Sequence, residues 1–173
     1  MEPGIDPDIF ITKIFDLRPG YLRTPLFHEV VYPVCSPGYL NAHPQVSTLE
    51  GIRSSVLLDL NPYGRAQMTE NVDWDAWFAL NAHDWPMAAM EPQQVFSSND
   101  YSLVVQMALD GQGMALGWDH LVRDLVRDGR LVRPLAGELT LSEALQYLIV
   151  KEEQADDPAC LRLKAWLIEQ FSG

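Results

Sequence analysis

Apolar and polar positions along this chain alternate between two periods, and the switches between them predict a succession of strands and helices. "DIFITKIF" (8–15) is rich in β-branched and aromatic residues, the pattern of a buried strand. "DLRPGYLRTP" reads as a loop with a Pro-Gly turn. "LFHEVVYPVC" (26–35) reads as an extended segment that Pro33 makes irregular or confines to a sheet edge. Ser36 is placed to cap a helix with Pro37 in its first position. Ser47, with Glu50 three residues on, forms a capping box for a short helix in "STLEGIR". "SVLLDL" (55–60) is a strand that ends in the polar turn "NPYGR".

The second half continues the alternation. Trp74, Trp77 and Phe78 fall at i, i+3 and i+4, one face of a helix, and read as core packing. "EPQQVFS" is a short strand. "SNDYSLVVQMALDG" is a helix with a polar start and Gly111 at its stop. "MALGW" is a strand, and "DHLVRDLVRDG" is an amphipathic helix running from Asp119 to a stop at Gly129. "RLVRPL" is extended, "SEALQYLIVKE" is a strand, and "DDPACLRLKAWLIEQF" is a last helix with Asp157 as cap and Pro158 in its first position. Alternating strands and helices predict an α/β fold with largely parallel pairing.

The glycines of "ALDGQGMALG" (108–117) bear on function. A phosphate-cradling loop needs a strand, then glycines, then a helix whose N-terminus faces the anion. Here the helix precedes the glycines and the strand follows them, with no Gly-Lys-Ser/Thr. Gly111 therefore reads as a left-handed helix stop and Gly113 as a tight turn into the strand.

Composition narrows the classes further. Of the 173 residues, 47% are apolar, enough for a packed core. A formal net charge of −12, from 12 Lys+Arg against 24 Asp+Glu, argues against this chain itself gripping nucleic acid. Arg123, Arg127, Arg130 and Arg133 are interleaved with Asp124 and Asp128 and read as a solvated helix face. Cys35 and Cys160 are far apart, neither has metal-ligand spacing around it, and Cys35 has no neighbouring cation to make it reactive. The four histidines are scattered, and no nucleophile–base constellation is visible. These observations predict no metal, no cofactor and no enzyme activity. The first ten residues lack the pattern of a signal peptide, and no apolar run approaches the about 20 residues of a membrane span. A cytoplasmic protein with no membrane partner is the expectation.

"ALDGQGMALGWDHLVRDLVRDGRLVRPL" resembles the effector-binding domain of LysR-type transcriptional regulators, and in particular the branch of the glycine-cleavage activator. "LFHEVVYPVCSPGYL" resembles the family's crossover into its second lobe. "DWDAWF", "SNDYSLVVQMAL" and the closing "YLIV" strand and helix fall in the family's order. The resemblance runs from about Asp8 to Phe171. It implies a bilobed, type 2 periplasmic-binding-protein-like α/β fold with an effector between the lobes, lobe II complete and lobe I truncated. Residues 1–25 would be a lobe I remnant, 26–134 lobe II, and 135–173 the return crossover, a lobe I strand and the C-terminal helix. The family's winged helix-turn-helix, linker helix and first strand–helix–strand of lobe I have no counterpart here. The branch carries an Arg in its first strand where this chain has Thr12, with Lys13 adjacent, so the effector class does not carry over.

The candidate site residues follow from strand ends. "FSSND" joins a strand to a helix, where free backbone N–H groups point beyond the strand. Ser98, Asn99 and Asp100 there either contact an effector or only cap the helix, and Asp100 would repel an anion. Asn61 and Tyr63, after another strand, either line the same site or are plain turn residues. Thr12 and Lys13 complete the set. The leading expectation is a small-molecule sensor that self-associates and reaches DNA only through an absent N-terminal domain. A solute-binding protein of transport, an enzyme built on dispersed carboxylates and a truncated oligomerisation fragment are the alternatives.

Overall fold

The computed structural model describes residues 6–13, 19–61, 72–81 and 94–171, apart from the side chains of 142–144. Its backbone falls into two compact units, one of Met1–Glu29 with Thr140–Gly173 and one of Val30–Leu139. In the first, strand β1 (Ile9–Thr12) pairs antiparallel with β6 (Leu139–Lys151), Ile9 opposite Val150 and Thr12 opposite Tyr147. β6 lies next to β2 (Tyr21–Val34) in the strand order. Helix α6 (Pro158–Phe171) starts where Asp157 accepts from the N–H groups of Ala159 and Cys160, as its cap residue predicts, and its last residue, Phe171, stacks on Phe27 of β2 at 4.4 Å.

The second unit carries the larger core. Its strand order is β2-β5-β3-β4, with β3 (Val56–Leu60), β4 (Gln94–Ser98) and β5 (Met114–Trp118). β3 pairs parallel with β4 and with β5, whereas β5 runs antiparallel to β2. Parallel pairing is thus confined to the stretch where helices separate strands; the expectation of a largely parallel sheet fails at the long strands, which enter and leave without a crossover helix beside them. Helices α1 (Pro37–Ala42) and α2 (Leu49–Arg53) precede β3, α3 (Trp74–Asn81) follows it, and α4 (Tyr101–Leu109) and α5 (Asp119–Arg127) flank β5. Tyr32 and Val34 of β2, Leu58, Val104, Ala108, Ala115, Val122 and Leu131 form one buried cluster. Trp74, Trp77 and Phe78 are buried together with edge-to-face contacts, and the Trp74 indole N–H donates to the Leu58 carbonyl at 3.0 Å.

Several local expectations change. The segment read as a loop after Gly20 is already strand: β2 begins at Tyr21 and runs through both Pro25 and Pro33, with Pro33 opposite Leu116. A fixed proline φ is compatible with extended chain and forfeits only a ladder hydrogen bond. Pro33 is therefore not at an edge, since β2 lies between β6 and β5. Thr48, not Ser47, caps α2, accepting from the Gly51 N–H at 3.0 Å, because Ser47 is already wound into a 3-10 turn over Pro44–Ser47 and a cap needs extended backbone. Arg123 and Arg127 do pair along α5 with Asp119 and Asp124, at 3.2 and 2.7 Å. Arg133 lies beyond α5, with its guanidinium 4.0 Å over the Tyr32 ring and 2.9 Å from Glu138. Ser36 caps α1 as expected.

Gly111 has φ +72 and ends α4, so the turn reading of the glycine cluster stands. Gly113 is required by proximity, as a Cβ there would lie 2.7 Å from the Val56 carbonyl oxygen. Gly51 has a still tighter neighbour, because a Cβ would run into the Gln45 carbonyl of the 3-10 turn. Gly51→Ala is expected to cost about 3 kcal/mol, since backbone must yield, and Gly111→Ala about 1 kcal/mol, the cost of a side chain in the left-handed region. Urea denaturation of both variants checks the order; a larger loss at Gly111 would contradict it.

Candidate functional site

The carboxyl ends of two parallel strands meet at the start of a helix. Leu60 of β3 is opposite Ser98 of β4, and the Asn61 N–H donates to the Ser98 carbonyl at 2.8 Å, which holds the two strand ends side by side. The chain then turns into α4. The Ser98 hydroxyl accepts from the Asp100 N–H at 3.1 Å, and the Asp100 carboxylate accepts from the N–H groups of Ser102 and Leu103 at 2.8 and 3.4 Å. Asp100 is therefore the helix cap, and Ser98 is not. A hydroxyl engaged as an acceptor still has its proton to donate. Ser98 is half-buried, while Asn61, Asn99 and Asp100 are exposed. Tyr63 lies outside the described residues.

A residue that the sequence reading passed over holds this corner in place. The Tyr101 hydroxyl donates to the Leu116 carbonyl at 3.2 Å and accepts from the Trp118 N–H at 3.1 Å, with its ring edge-on to the Trp118 indole at 5.3 Å. Burial pushes its pKa up to about 12, so it remains a neutral donor and acceptor. The first residue of α4 is thereby fastened to the end of strand β5. The available signal was an aromatic with a hydroxyl directly after a cap residue.

Beside these strands Leu57, Asp59, Asp73, Trp74, Asp75 and Val95 line a shallow hollow of about 210 Å³. Burial raises the Asp59 pKa above the ordinary aspartate value, and the charges of Asp73 and Asp75 push the same way against a hydrogen bond from the Trp74 N–H. Among the described residues no group of three or more His, Cys, Asp or Glu is placed to hold a metal ion.

In the other unit, Thr12 ends β1 opposite Tyr147, and Lys13 follows it. The Lys13 ammonium is 2.7 Å from Glu29, whose other carboxylate oxygen accepts from the Gln146 amide at 2.7 Å. Glu29 is buried and Lys13 partly exposed. Lys13 is therefore a cation already neutralised on one side. Neither Glu29 nor Gln146 was singled out from sequence; the visible signal was a lone carboxylate in the apolar run "HEVVYPV". Cys35 is fully buried, its backbone bonded both ways to Val132, and burial raises its thiol pKa to about 11. No helix among the described residues is long and apolar enough to cross a membrane.

The sequence of residues 6–172 matches the profile of the LysR substrate binding domain. The chain belongs to that family. This LysR domain is 26% identical over 153 residues to the glycine cleavage system transcriptional activator of Escherichia coli (strain K12), covering 87% of this chain and 45% of that protein. It is 28% identical over 170 residues to the HTH-type transcriptional regulator DsdC of the same organism, covering 96% of this chain and 51% of that one. The LysR domain thus spans about half the length of these curated relatives, which are transcriptional regulators. Its fold is that of the AmpR effector binding domain from Citrobacter freundii, with a TM-score of 0.63 at 18% identity, covering 95% of this chain and 74% of that one. Together with the open sheet of mixed pairing, this identifies a periplasmic-binding-protein-like α/β fold of the LysR effector-domain kind.

Two outcomes test these sites as chemistry. Lys13→Met leaves the buried Glu29 carboxylate with one partner and is expected to cost about 2 kcal/mol of stability, between the values for exposed and fully buried pairs. Chemical denaturation reads it, and an unchanged midpoint would show that the pair contributes nothing. Asp59 binds its proton more tightly folded than unfolded, so its contribution to stability is present below the ordinary aspartate value of about 4 and is lost as pH rises through the raised folded value. Asp59→Asn keeps the acceptor for the Trp74 N–H and is expected to flatten the fall in melting temperature across that window; an unaltered pH profile would contradict it.

Proposed function

We propose that this LysR domain is the effector-sensing part of a DNA-binding transcriptional regulator, with a small molecule seated at the joined ends of β3 and β4. The observation that carries the reading is the hydrogen bond from the Asn61 N–H to the Ser98 carbonyl. It brings two strand ends together at a helix start, the place where open α/β sheets bind ligands. Ser98, Asn99 and Asn61 offer neutral donors and acceptors there, with Asp100 as a nearby carboxylate. Thr12 and Lys13, in the first unit, are candidate effector contacts of that unit taken by itself. A carboxylate beside amide and hydroxyl groups suits a ligand with a cationic part better than a plain anion. One solved neighbour, the full-length LysG of Corynebacterium glutamicum, is described with the effector Arg bound, which supports sensing as the role of this fold.

On this reading the second unit is lobe II and the first a partial lobe I. The effector binds two arrangements of the domain unequally and shifts their populations. DNA is contacted through a domain outside this chain, in keeping with its charge of −12. The regulator works in the cytoplasm and as a homo-oligomer, and it is not an enzyme.

A thermal-shift screen of amino acids and small carboxylates, run on the wild type and on Ser98→Ala, tests the site. Since Asp100 rather than Ser98 caps α4, Ser98→Ala is expected to weaken binding of a stabilising compound by about 1 kcal/mol while leaving the unliganded melting temperature nearly unchanged. A loss of unliganded stability with binding intact would remove Ser98 from the site.

A further inference from the structure

We infer that Tyr32 of β2 is a positioning residue for the effector corner, acting through Asp119 and the passage from β5 to α5. The inference rests on the seat proposed above at Ser98 and Asn61, and it names a second group that holds this seat in place. The first link is Tyr101, whose hydroxyl bonds the Leu116 carbonyl and the Trp118 N–H. These bonds fall just past the last residues at which β3 and β5 pair, Leu58 with Ala115. A phenol thus takes up backbone groups of β5 where the neighbouring ladder has ended. The start of α4, and the corner before it, therefore go where Leu116–Trp118 goes.

That segment is held in turn from β2. Tyr32 stands opposite Gly117, and its hydroxyl donates to Asp119, two residues further on, at 2.8 Å. Trp118, at the N-cap of α5, makes no side-chain capping bond, so the first turn of that helix is held through Asp119. The other Asp119 oxygen is 3.2 Å from Arg123. The Tyr32 ring is itself fixed, buried and with the Arg133 guanidinium 4.0 Å from its centre. Burial and the bond to Asp119 both raise the Tyr32 pKa, so the phenol keeps the proton it donates. A hydroxyl donating to a charged carboxylate makes a stronger bond than one between neutral groups. Two tyrosines from different elements thus grip four consecutive residues, Leu116 to Asp119. Without the Tyr32 hydroxyl the start of α5 loosens, both partners of Tyr101 move with it, and the bond from the Asn61 N–H to the Ser98 carbonyl loses its fixed support.

Amide hydrogen exchange of the whole chain, resolved by residue with NMR, tests this without any effector. Two amides report: Trp118, which donates to Tyr101, and Asn61, which donates to Ser98 across the corner. The Ile52 amide of α2, bonded to Thr48, is the reference. Tyr101→Phe is expected to speed exchange at both reporters about tenfold relative to Ile52. Tyr32→Phe keeps the ring beneath Arg133 and removes only the hydroxyl; it is expected to speed both about threefold or more. Asp119→Ala is expected to match it, whereas Asp119→Asn, which still offers Tyr32 an oxygen, stays near the wild type. Added to Tyr101→Phe, Tyr32→Phe is expected to change Asn61 little further, because its route is already cut. Wild-type rates at Trp118 and Asn61 in Tyr32→Phe overturn the inference. So does a rise shared equally by Ile52, which is plain loss of stability, and so does full multiplication of the two effects at Asn61, which makes the tyrosines independent. Intact binding of a stabilising compound in Ser98→Ala, with the exchange pattern as expected, overturns the seat and leaves the link from Tyr32 to the corner standing.

Discussion

Everything in the larger unit hangs on β5. Its five residues are all buried, and it is clasped between an antiparallel neighbour, β2, and a parallel one, β3. A strand so placed has no solvent face, and this is why "MALGW" shows no alternation. Two of its surroundings leave no room for a side chain. Gly113 passes the Val56 carbonyl as the strand begins, and a Cβ on Gly117 would lie 2.8 Å from Val122 of α5. The Tyr101 hydroxyl then bonds the far end of β5 at two backbone groups. The start of α4, and with it the Ser98 corner, is thus positioned by a strand it does not belong to.

The two clusters of candidate residues differ in their electrostatic character. Among the described candidate residues at this corner Ser98, Asn99 and Asn61 are neutral, and the Asp100 carboxylate is occupied by the helix it caps. Around Lys13 a cation and an anion are matched, with an amide completing the carboxylate's second oxygen. A ligand approaching the first cluster meets donors and acceptors without displacing an ion pair. One that recruits Lys13 has to compete with Glu29, and only a partner able to satisfy both halves of that pair does so without leaving a buried carboxylate exposed to apolar surroundings.

Most elements were legible because local chemistry and tertiary context agree in them. The stops at Gly111 and Gly129, the caps at Ser36 and Asp157, and the Trp74, Trp77 and Phe78 face all follow from short-range patterns. What was not legible is long-range. Nothing local distinguishes Tyr21–Pro25 as strand, because its extension depends on a neighbour more than a hundred residues away. The Glu29 partners at Lys13 and Gln146 are separated from it by 16 and 117 positions. The Ser47 box failed for a local reason, as the preceding proline winds a turn through it. In the site, strand ends pointed to Ser98 and Asn61. Tyr101 was passed over because its role is set by the fold of β5 and not by its own neighbours in sequence.

Cys35 shows how this packing would be seen from outside. Its thiol is fully buried, its pKa is raised, and its backbone is bonded both ways to Val132 in an isolated bridge beyond α5. Burial disfavours the thiolate there, and opening of the surrounding backbone would restore it. The half-buried Cys160 on α6 has no such restraint. The molecule thus carries two thiols that keep different time: one tracks the surface, and the other records each occasion on which the interior of the larger unit comes apart.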